Sequence, residues 1–365
     1  MGLAHALAAA KLGKRVVVID RDAQANGASI RNFGFITVSG QAQQEVWPRA
    51  RRSRDIWAAI APELGLEIDH RGLVLVVRRP QSRAVVEAFL ATEMGRDCQW
   101  LSPAQAAQRL GAPLAAGVEG GLYSPHELRV ESVQALPALA NWLADRWGVQ
   151  FQWSRAVHAV RAGEVQTARG PVEAEAVVVC PGDDLSTLYP DLIASRATRR
   201  CRLSMLRLAD PGFRLGTGVM SDLGLVRYRG YADLPAAVGL LTRLQKEQAQ
   251  HLAHGVHLIA VQSRNGSLVV GDSHHYADTP DPFALSEIED LILDEYSSVF
   301  GTAPPPVVAR WTGTYASGAG PALIAAPEPG VRLVMVTEGN GASTAFGLGE
   351  QVIGELYGVG EGASA

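Results

Sequence analysis

The sequence predicts an α/β protein: a doubly wound parallel sheet, interrupted by a part built on a mixed or antiparallel sheet. Three observations carry this. The chain opens with MGLAHALAAAKLGKRVVVID, an Ala/Leu-rich helix leading into an unalternated apolar strand, the pattern of a strand buried on both faces. A second such strand, AVVVCPG, stands at 176–182. A third, VRLVMVTE at 331–338, runs into a glycine-rich turn and a closing helix. Because these pieces lie at the start, middle and end, two discontinuous domains are expected. Residues 1–40, 130–195 and 322–365 form the doubly wound one, and 41–129 and 196–321 the strand-rich one.

The elements follow in order. Residues 3–12 are a helix closed by Gly13, and RVVVID (15–20) is a strand. GASIRNFGFITVSGQ is a polar loop, and 43–61 are helical. GLVLVVRR (72–79) is a strand, followed by a helix over 81–95. Ser102 as N-cap and Pro103 at the first position start a short helix to 110. An amphipathic helix over 132–147 precedes three or four strands ending at VVVCPG. From 201 to 275 mostly strands are expected, with a helix near 242–254. Residues 284–300 are helical and VVARWTGTYA (307–316) is a strand. The tail GVGEGASA is expected to fray.

Composition narrows the function. Hydrophobic residues make up 47% and charged residues 19%, a globular profile for 365 residues, and the net charge of −4 offers no surface for nucleic acid or membrane. Cys98, Cys180 and Cys201 show no CxxC spacing, which points to a reducing, cytoplasmic setting. No apolar run spans a bilayer and no secretory signal is recognisable. The oligomeric state is not legible.

Chemistry concentrates in a few stretches. Gly2 at the start of the first helix and Asp20 at the end of the next strand have the spacing of a dinucleotide fold, whose acid binds ribose hydroxyls; an ordinary helix–strand pair is the alternative. Cys180-Pro181-Gly182 ends a buried strand where ligands collect at the carboxyl edge of an α/β sheet. In GNGAST (339–344) free N–H groups at a helix start can hold partial negative charge. Trp311, Gly313 and Tyr315 share one side of an extended segment. His251, His254 and His257 stand three apart, but Gly255 breaks the helix face and no acid is near, so no metal is expected. SHHY (273–276) places His274 and His275 at a strand end.

Together these motifs resemble the FAD-dependent amine and amino-acid oxidoreductases of the D-amino-acid oxidase and glycine oxidase superfamily, over nearly the whole chain. The resemblance implies a Rossmann-like FAD-binding domain. It puts Gly2, Asp20 and Arg21 on the nucleotide and Ala28, Ser29, Arg31 and Asn32, from GASIRNFGF, under the flavin ring. Val157 in RAVHAV meets the adenine, and Cys180 and Gly182 form a second contact. Gly313 in RWTGTYA and Gly339, Asn340, Gly341, Ala342, Ser343 and Thr344 complete the set, the last three offering backbone amides to the flavin O2 edge. ANGASIRNFGF, SPHELRVES, GDSHHY and RWTGTYA look more closely like a subgroup associated with phosphonate catabolism, which implies oxidative deamination of an aminophosphonate related to 2-aminoethylphosphonate. The partners implied are a small amine and an electron acceptor, oxygen or another.

Two departures stand out. The family's first strand and first two glycines have no counterpart. Removing a central strand leaves unpaired backbone groups at about 1–3 kcal/mol each, so a preceding segment is expected in the natural product. The other departure is Tyr315, which stands where glycine oxidase-like members carry an arginine for the substrate carboxylate; a phenol cannot replace that bidentate donor. Arg31, Arg202, Arg207, Arg227, Arg229, His274 and His275 are then candidates for holding the substrate's anion. Arg202, Arg31 and Tyr315 are preferred for binding, and Tyr315, His274 and His275 for catalysis. Oxidation of glycine, sarcosine or a D-amino acid is the alternative, and a non-catalytic remnant a second one.

Overall fold

The computed structural model describes residues 1–359, so the expected fraying of the tail lies mostly outside the described residues. The alanine-rich opening forms α1 (Gly2–Lys11), followed by β1 (Val17–Ile19). Then come β2 (Phe35–Ile36), α2 (Val46–Ile60), β3 (His70–Val77), α3 (Pro80–Leu90) and β4 (Gln99–Leu101). In α4 (Pro103–Leu110) Ser102 is the N-cap and Pro103 the first residue, as expected, and Gln105 adds a reciprocal capping box. Next are β5 (Gly120–Arg129), α5 (Ser132–Trp147), β6 (Gln150–Gln152), β7 (Val157–Arg161), β8 (Glu164–Thr167), β9 (Gly170–Glu173), β10 (Val177–Val179) and α6 (Pro190–Ala194). β11 (Arg199–Leu208) and β12 (Gly218–Ser221) lead into a short 3₁₀ helix (Asp222–Val226), α7 (Arg229–Ala232), α8 (Ala237–Glu247) and α9 (Ala249–Ala253). The chain closes with β13 (Ile259–Gln262), β14 (Leu268–Gly271), β15 (His275–Ala277), α10 (Ser286–Phe300), β16 (Val307–Ala325), β17 (Val331–Glu338) and α11 (Gly341–Tyr357).

The class is α/β, with parallel strand pairs and a larger mixed sheet. β1 pairs in parallel with β6, and β10 with β17. From β17 the main sheet continues through β16, β11, β14, β13, β12, β3 and β5 to β2, with β15 on β11 and β4 on β5. β7, β8 and β9 form a separate antiparallel meander. Among the described residues no strand joins the β1–β6 pair to the main sheet; Val17–Ile19 and Val177–Val179 line a common cavity instead. The alanines of α1 serve close packing between helices: Ala4, Ala6 and Ala8–Ala10 are buried, and a Cβ on Gly349 of α11 would lie 3.0 Å from the Ala4 backbone.

Three expectations need correction. GGLYSPHELR, which carries no clear strand pattern, forms β5, which bonds to β2, β3 and β4. Pro125 and two glycines disguise it, and the β3–β5 register shifts beside Pro125. Residues 222–253 are mainly helical rather than stranded, because Leu240 and Leu244, one turn apart, are both buried on the core. β16 runs for 19 residues, well past the expected end at Ala316. No helix among the described residues is long and apolar enough to cross a membrane.

A buried ion cluster anchors the segment that enters the cavity. Asp222, fully buried at the start of the 3₁₀ helix, accepts from Arg79 Nη1 at 2.9 Å and Ser82 Oγ at 2.7 Å, and Arg78 bridges it to Glu295. Taking one partner from such a cluster strands the remaining charges in low dielectric. Asp222→Ala is therefore expected to lower stability by about 3–5 kcal/mol in urea unfolding, against under 1 kcal/mol for removing an exposed pair such as Arg83–Glu87.

Candidate functional site

The start of α1, the end of β1, the 25–33 loop, the end of β10 and the start of α11 converge on one cavity of about 1830 Å³. That exceeds the roughly 300–1,000 Å³ of ordinary small-ligand sites. Of the residues expected to hold a cofactor, Gly2, Asp20, Arg21, Ala28, Ser29, Arg31, Asn32, Val157, Cys180, Gly182, Gly313, Gly339, Asn340, Gly341, Ala342 and Ser343 all line it. Gly2, Gly182 and Gly341 have nothing within 4 Å of where a Cβ would stand, so each opens its backbone to the cavity. An elongated dinucleotide fits such a lining: an acid at one strand end, open glycines, and a helix N-terminus opposite.

Thr344 differs from expectation. It is absent from the cavity wall, its Oγ1 donates to the Asn340 carbonyl at 2.9 Å, and a regular helix turns its N–H back on the same carbonyl. The Ser343 N–H also closes on Asn340, at 3.0 Å. The free amides at this helix start are thus those of Gly341 and Ala342. Ser343 contributes differently: its Oγ accepts from the Thr37 N–H at 2.8 Å and ties the loop to the helix.

The loop under the cavity is held by its own side chains. Asn32 Nδ2 donates to Ala28 O at 2.7 Å, and its Oδ1 accepts from the Gly34 N–H at 2.6 Å and from Ser132 Oγ at 2.9 Å. Gly34 has φ +68°, and a Cβ there would lie 1.8 Å from the Val130 carbonyl, so only glycine fits. Arg31 lines the cavity with its guanidinium on Thr312 O at 3.4 Å and Asn26 Oδ1 at 3.3 Å.

On the antiparallel side the wall consists of Arg227, Tyr228, His257, Asp272, His274, Tyr276 and Tyr315. Of the candidate anion anchors, Arg202 is buried elsewhere. It donates to the carbonyls of Asp281 and Phe283 and takes no part in the wall. Arg207 is held by Ser263 and Ser267 outside the cavity. Arg229 reaches the wall with its charge shared between Asp233 and Glu338. Arg227, on this side of the wall, gives its hydrogen bond to Tyr276 Oη at 3.2 Å rather than to a carboxylate. Burial opposes its charge, but Tyr276, Tyr315 and Asp272 around it more than offset that and raise its pKa. Tyr315 lies across the turn before α11, with its ring 2.7 Å from where a Gly339 Cβ would stand, and burial raises its phenol pKa.

The adjacent histidines part company. His274 is buried in the wall, with Nδ1 on the Gly255 carbonyl at 2.9 Å, whereas His275 turns away and meets His254 at 3.0 Å. The expected catalytic pair is therefore one histidine of the site and one outside it. His251 joins Asp294 at 3.3 Å, so the 251–254–257 series is dispersed. His257, Asp272, Tyr228 and Tyr276 are wall residues that the sequence does not single out as site residues. His257, just before β13, and Asp272, just after β14, exchange backbone hydrogen bonds, which brings their side chains together at 3.3 Å. Burial raises the Asp272 carboxyl to about 7, and burial, with Arg227 second, drives His257 and His274 well below the usual histidine range. The motif GDSHHY did contain Asp272; its place opposite His257 was a matter of register.

Comparison with known proteins agrees with this geometry. Glycine oxidase from Geobacillus kaustophilus is similar in structure, with a TM-score of 0.76 at 20% identity over 100% of this chain and 93% of that one. L-proline dehydrogenase from P. horikoshii gives 0.76 at 16% identity, over 98% and 91%. Iminodiacetate oxidase from Chelativorans sp. BNC1 gives 0.72 at 15%, over 99% and 94%. No curated protein sequence matches. Residues 1–354 match the family model described as FAD dependent oxidoreductase, so the chain belongs to that family and its cofactor is FAD.

Proposed function

We propose that the protein oxidises a small amine bearing a compact anion, an aminophosphonate related to 2-aminoethylphosphonate, in a domain arrangement with residues 1–40, 130–195 and 322–365 on FAD and the rest on the substrate. The observation that carries this is Arg227, a guanidinium on the cavity wall whose hydrogen bond goes to a phenol rather than to a carboxylate. Arg227 is half-buried and Asp272 is the carboxylate in its surroundings, so its charge is only partly compensated, and a substrate anion completes the compensation. Arg227 with the hydroxyls of Tyr276 and Tyr315 offers more donors than a carboxylate has oxygens, which favours the three oxygens of a phosphonate. Bound FAD supplies a two-electron acceptor for hydride from the amine-bearing carbon. The protein's part is to hold that carbon in place and to exclude water while the bond breaks. The imine product is hydrolysed to a carbonyl compound and ammonia or methylamine, and oxygen or another acceptor closes the cycle. Glycine, sarcosine or a D-amino acid is the second reading, favoured by the likeness to glycine oxidase and by the fact that Arg227 also suits a carboxylate.

A screen of amines following flavin bleaching in the absence of oxygen distinguishes these substrates; bleaching by glycine but not by 2-aminoethylphosphonate rejects the phosphonate reading. In Arg227→Ala, kcat/KM for the anionic amine is expected to fall at least about thirtyfold, the equivalent of about 2 kcal/mol, while a plain alkylamine of similar size changes little. Asp20→Ala is expected to weaken FAD binding about tenfold, measured as flavin released on dilution, since one charge-assisted hydrogen bond contributes about 1.5–3 kcal/mol and water replaces part of it.

A further inference from the structure

We infer that Asp272, flanked by His257 and His274, accepts the proton of the substrate's ammonium group, so that the amine is neutral when its carbon gives up hydride. This rests on the amine-oxidising reading above. An alkylamine has a pKa near that of lysine, about 10.4, and is therefore an ammonium at neutral pH. In that form the nitrogen lone pair that would assist hydride loss carries a proton, which must go to an acceptor in the site.

The cavity wall presents one suited to it. His257 Nδ1 stands 3.3 Å from Asp272 Oδ1, and His274 Nε2 stands 3.6 Å from Oδ2. One nitrogen or oxygen atom from each of the three residues lies within 4.8 Å of the others. All three are buried, yet Asp272 Oδ1 and both ring nitrogens of His257 have no hydrogen-bond partner. With His274 Nδ1 as the donor to the Gly255 carbonyl, its Nε2 turns a lone pair toward Asp272. An ammonium brings three N–H donors in a compact group, matching three acceptors. Arg227 stands nearby for the anion of the same molecule, so the wall complements a zwitterion from end to end. The trio also has the composition of a metal site, but a lone divalent cation would face the Arg227 charge uncompensated, whereas a zwitterion brings its own anion to Arg227.

The step balances as ammonium plus carboxylate giving amine plus carboxylic acid, with no electrons moved. Charged and titratable groups face Asp272 from several elements: Arg227 and Tyr228 after the 3₁₀ helix, His257 before β13, His274 after β14 and Cys201 on β11, with Tyr276 and Tyr315 beyond Arg227. Asp272 is the anionic one among them. Because its carboxyl titrates near 7, it is ready to accept a proton above that pH and already protonated below it.

The test follows anaerobic flavin reduction in the holoenzyme by 2-aminoethylphosphonate as a function of pH. In the wild type the second-order rate should rise through about pH 7 and then level. In Asp272→Asn the inflection near pH 7 should be lost and the rate should follow the amine's own ionisation alone. Asp272→Glu should restore the levelling. An Asp272→Asn profile of wild-type shape, or one lowered equally at every pH, overturns the assignment. A separate readout needs no turnover: 2-amino-2-methylpropylphosphonate has no hydrogen on its amine carbon, and calorimetry in buffers of different ionisation heat counts protons released as it binds. At about pH 8 the wild type should release almost none and Asp272→Asn close to one; equal counts overturn the proposal. If no amine reduces the flavin, the amine reading itself fails, whatever the proton count.

Discussion

β16 hydrogen-bonds to β11 from Val307 to Ser317 and to β17 from Ser317 to Ala325, so a single strand belongs both to the antiparallel sheet and to the parallel edge. Its middle residues are thereby fixed at the seam between the two. Gly313 sits where a Cβ would come 3.1 Å from the Arg31 carbonyl, which lets the loop beneath the cavity approach the strand. Trp311 Nε1 donates to that same carbonyl at 3.3 Å, so the expected grouping of Trp311, Gly313 and Tyr315 acts partly as a clamp on the loop: Gly313 and Tyr315 line the cavity, Trp311 does not. Two residues on, Tyr315 crosses Gly339, whose φ of +72° and missing side chain leave room for the ring. A shift of β16 by one residue would turn Tyr315 to the other face and break both contacts.

Charge in the wall follows from this frame. The 3₁₀ helix carrying Arg227 at its end is anchored on the far side by Asp222, which pairs with Arg78 and Arg79. Those charges are matched where they are buried; Arg227 and Asp272 are left less than fully paired where the cavity begins. Native proteins seldom leave ionisable groups in that state unless something else completes them, and perturbed groups of opposite sign on one wall are a mark of a binding site. The same low dielectric that raises Asp272 and lowers the histidines would strengthen every contact with a bound zwitterion.

Much of this was legible from residue order, because it depends on local rules. An alanine-rich helix between larger helices, a Ser–Pro helix start and β-branched strands in a parallel setting all follow from propensity and period. What was not legible depends on register across the sheet. Arg202 and Arg227 look alike in sequence, but Cys201, Leu203 and Met205 occupy one face of β11 and Arg202 faces the other. Two neighbouring histidines in an extended segment must split between faces, so no reading that made both His274 and His275 catalytic could hold once His274 was on the wall. β5 was missed for another reason. Its proline and glycines read as a turn, and only three partner strands offset the weak intrinsic preference.

The start of α11 shows how preorganisation limits what a motif can offer. GNGAST looks like a row of free amides, yet the helix takes some of them back. Asn340 accepts from Ser343, leaving Gly341 and Ala342 as the exposed donors. The remaining polar atoms are bound to the facing loop: Thr37 N to Ser343 Oγ at 2.8 Å, Gln41 Nε2 to Thr37 Oγ1 at 2.7 Å, and Asn340 Nδ2 to Gln41 Oε1 at 3.3 Å. This circuit runs from loop to helix and back, and each member is oriented by the next, so the two free amides are aimed before any ligand arrives. Fixed donors need no reorganisation when negative charge develops opposite them, and two rigid ones serve an oxidoreductase better than four that must first be ordered.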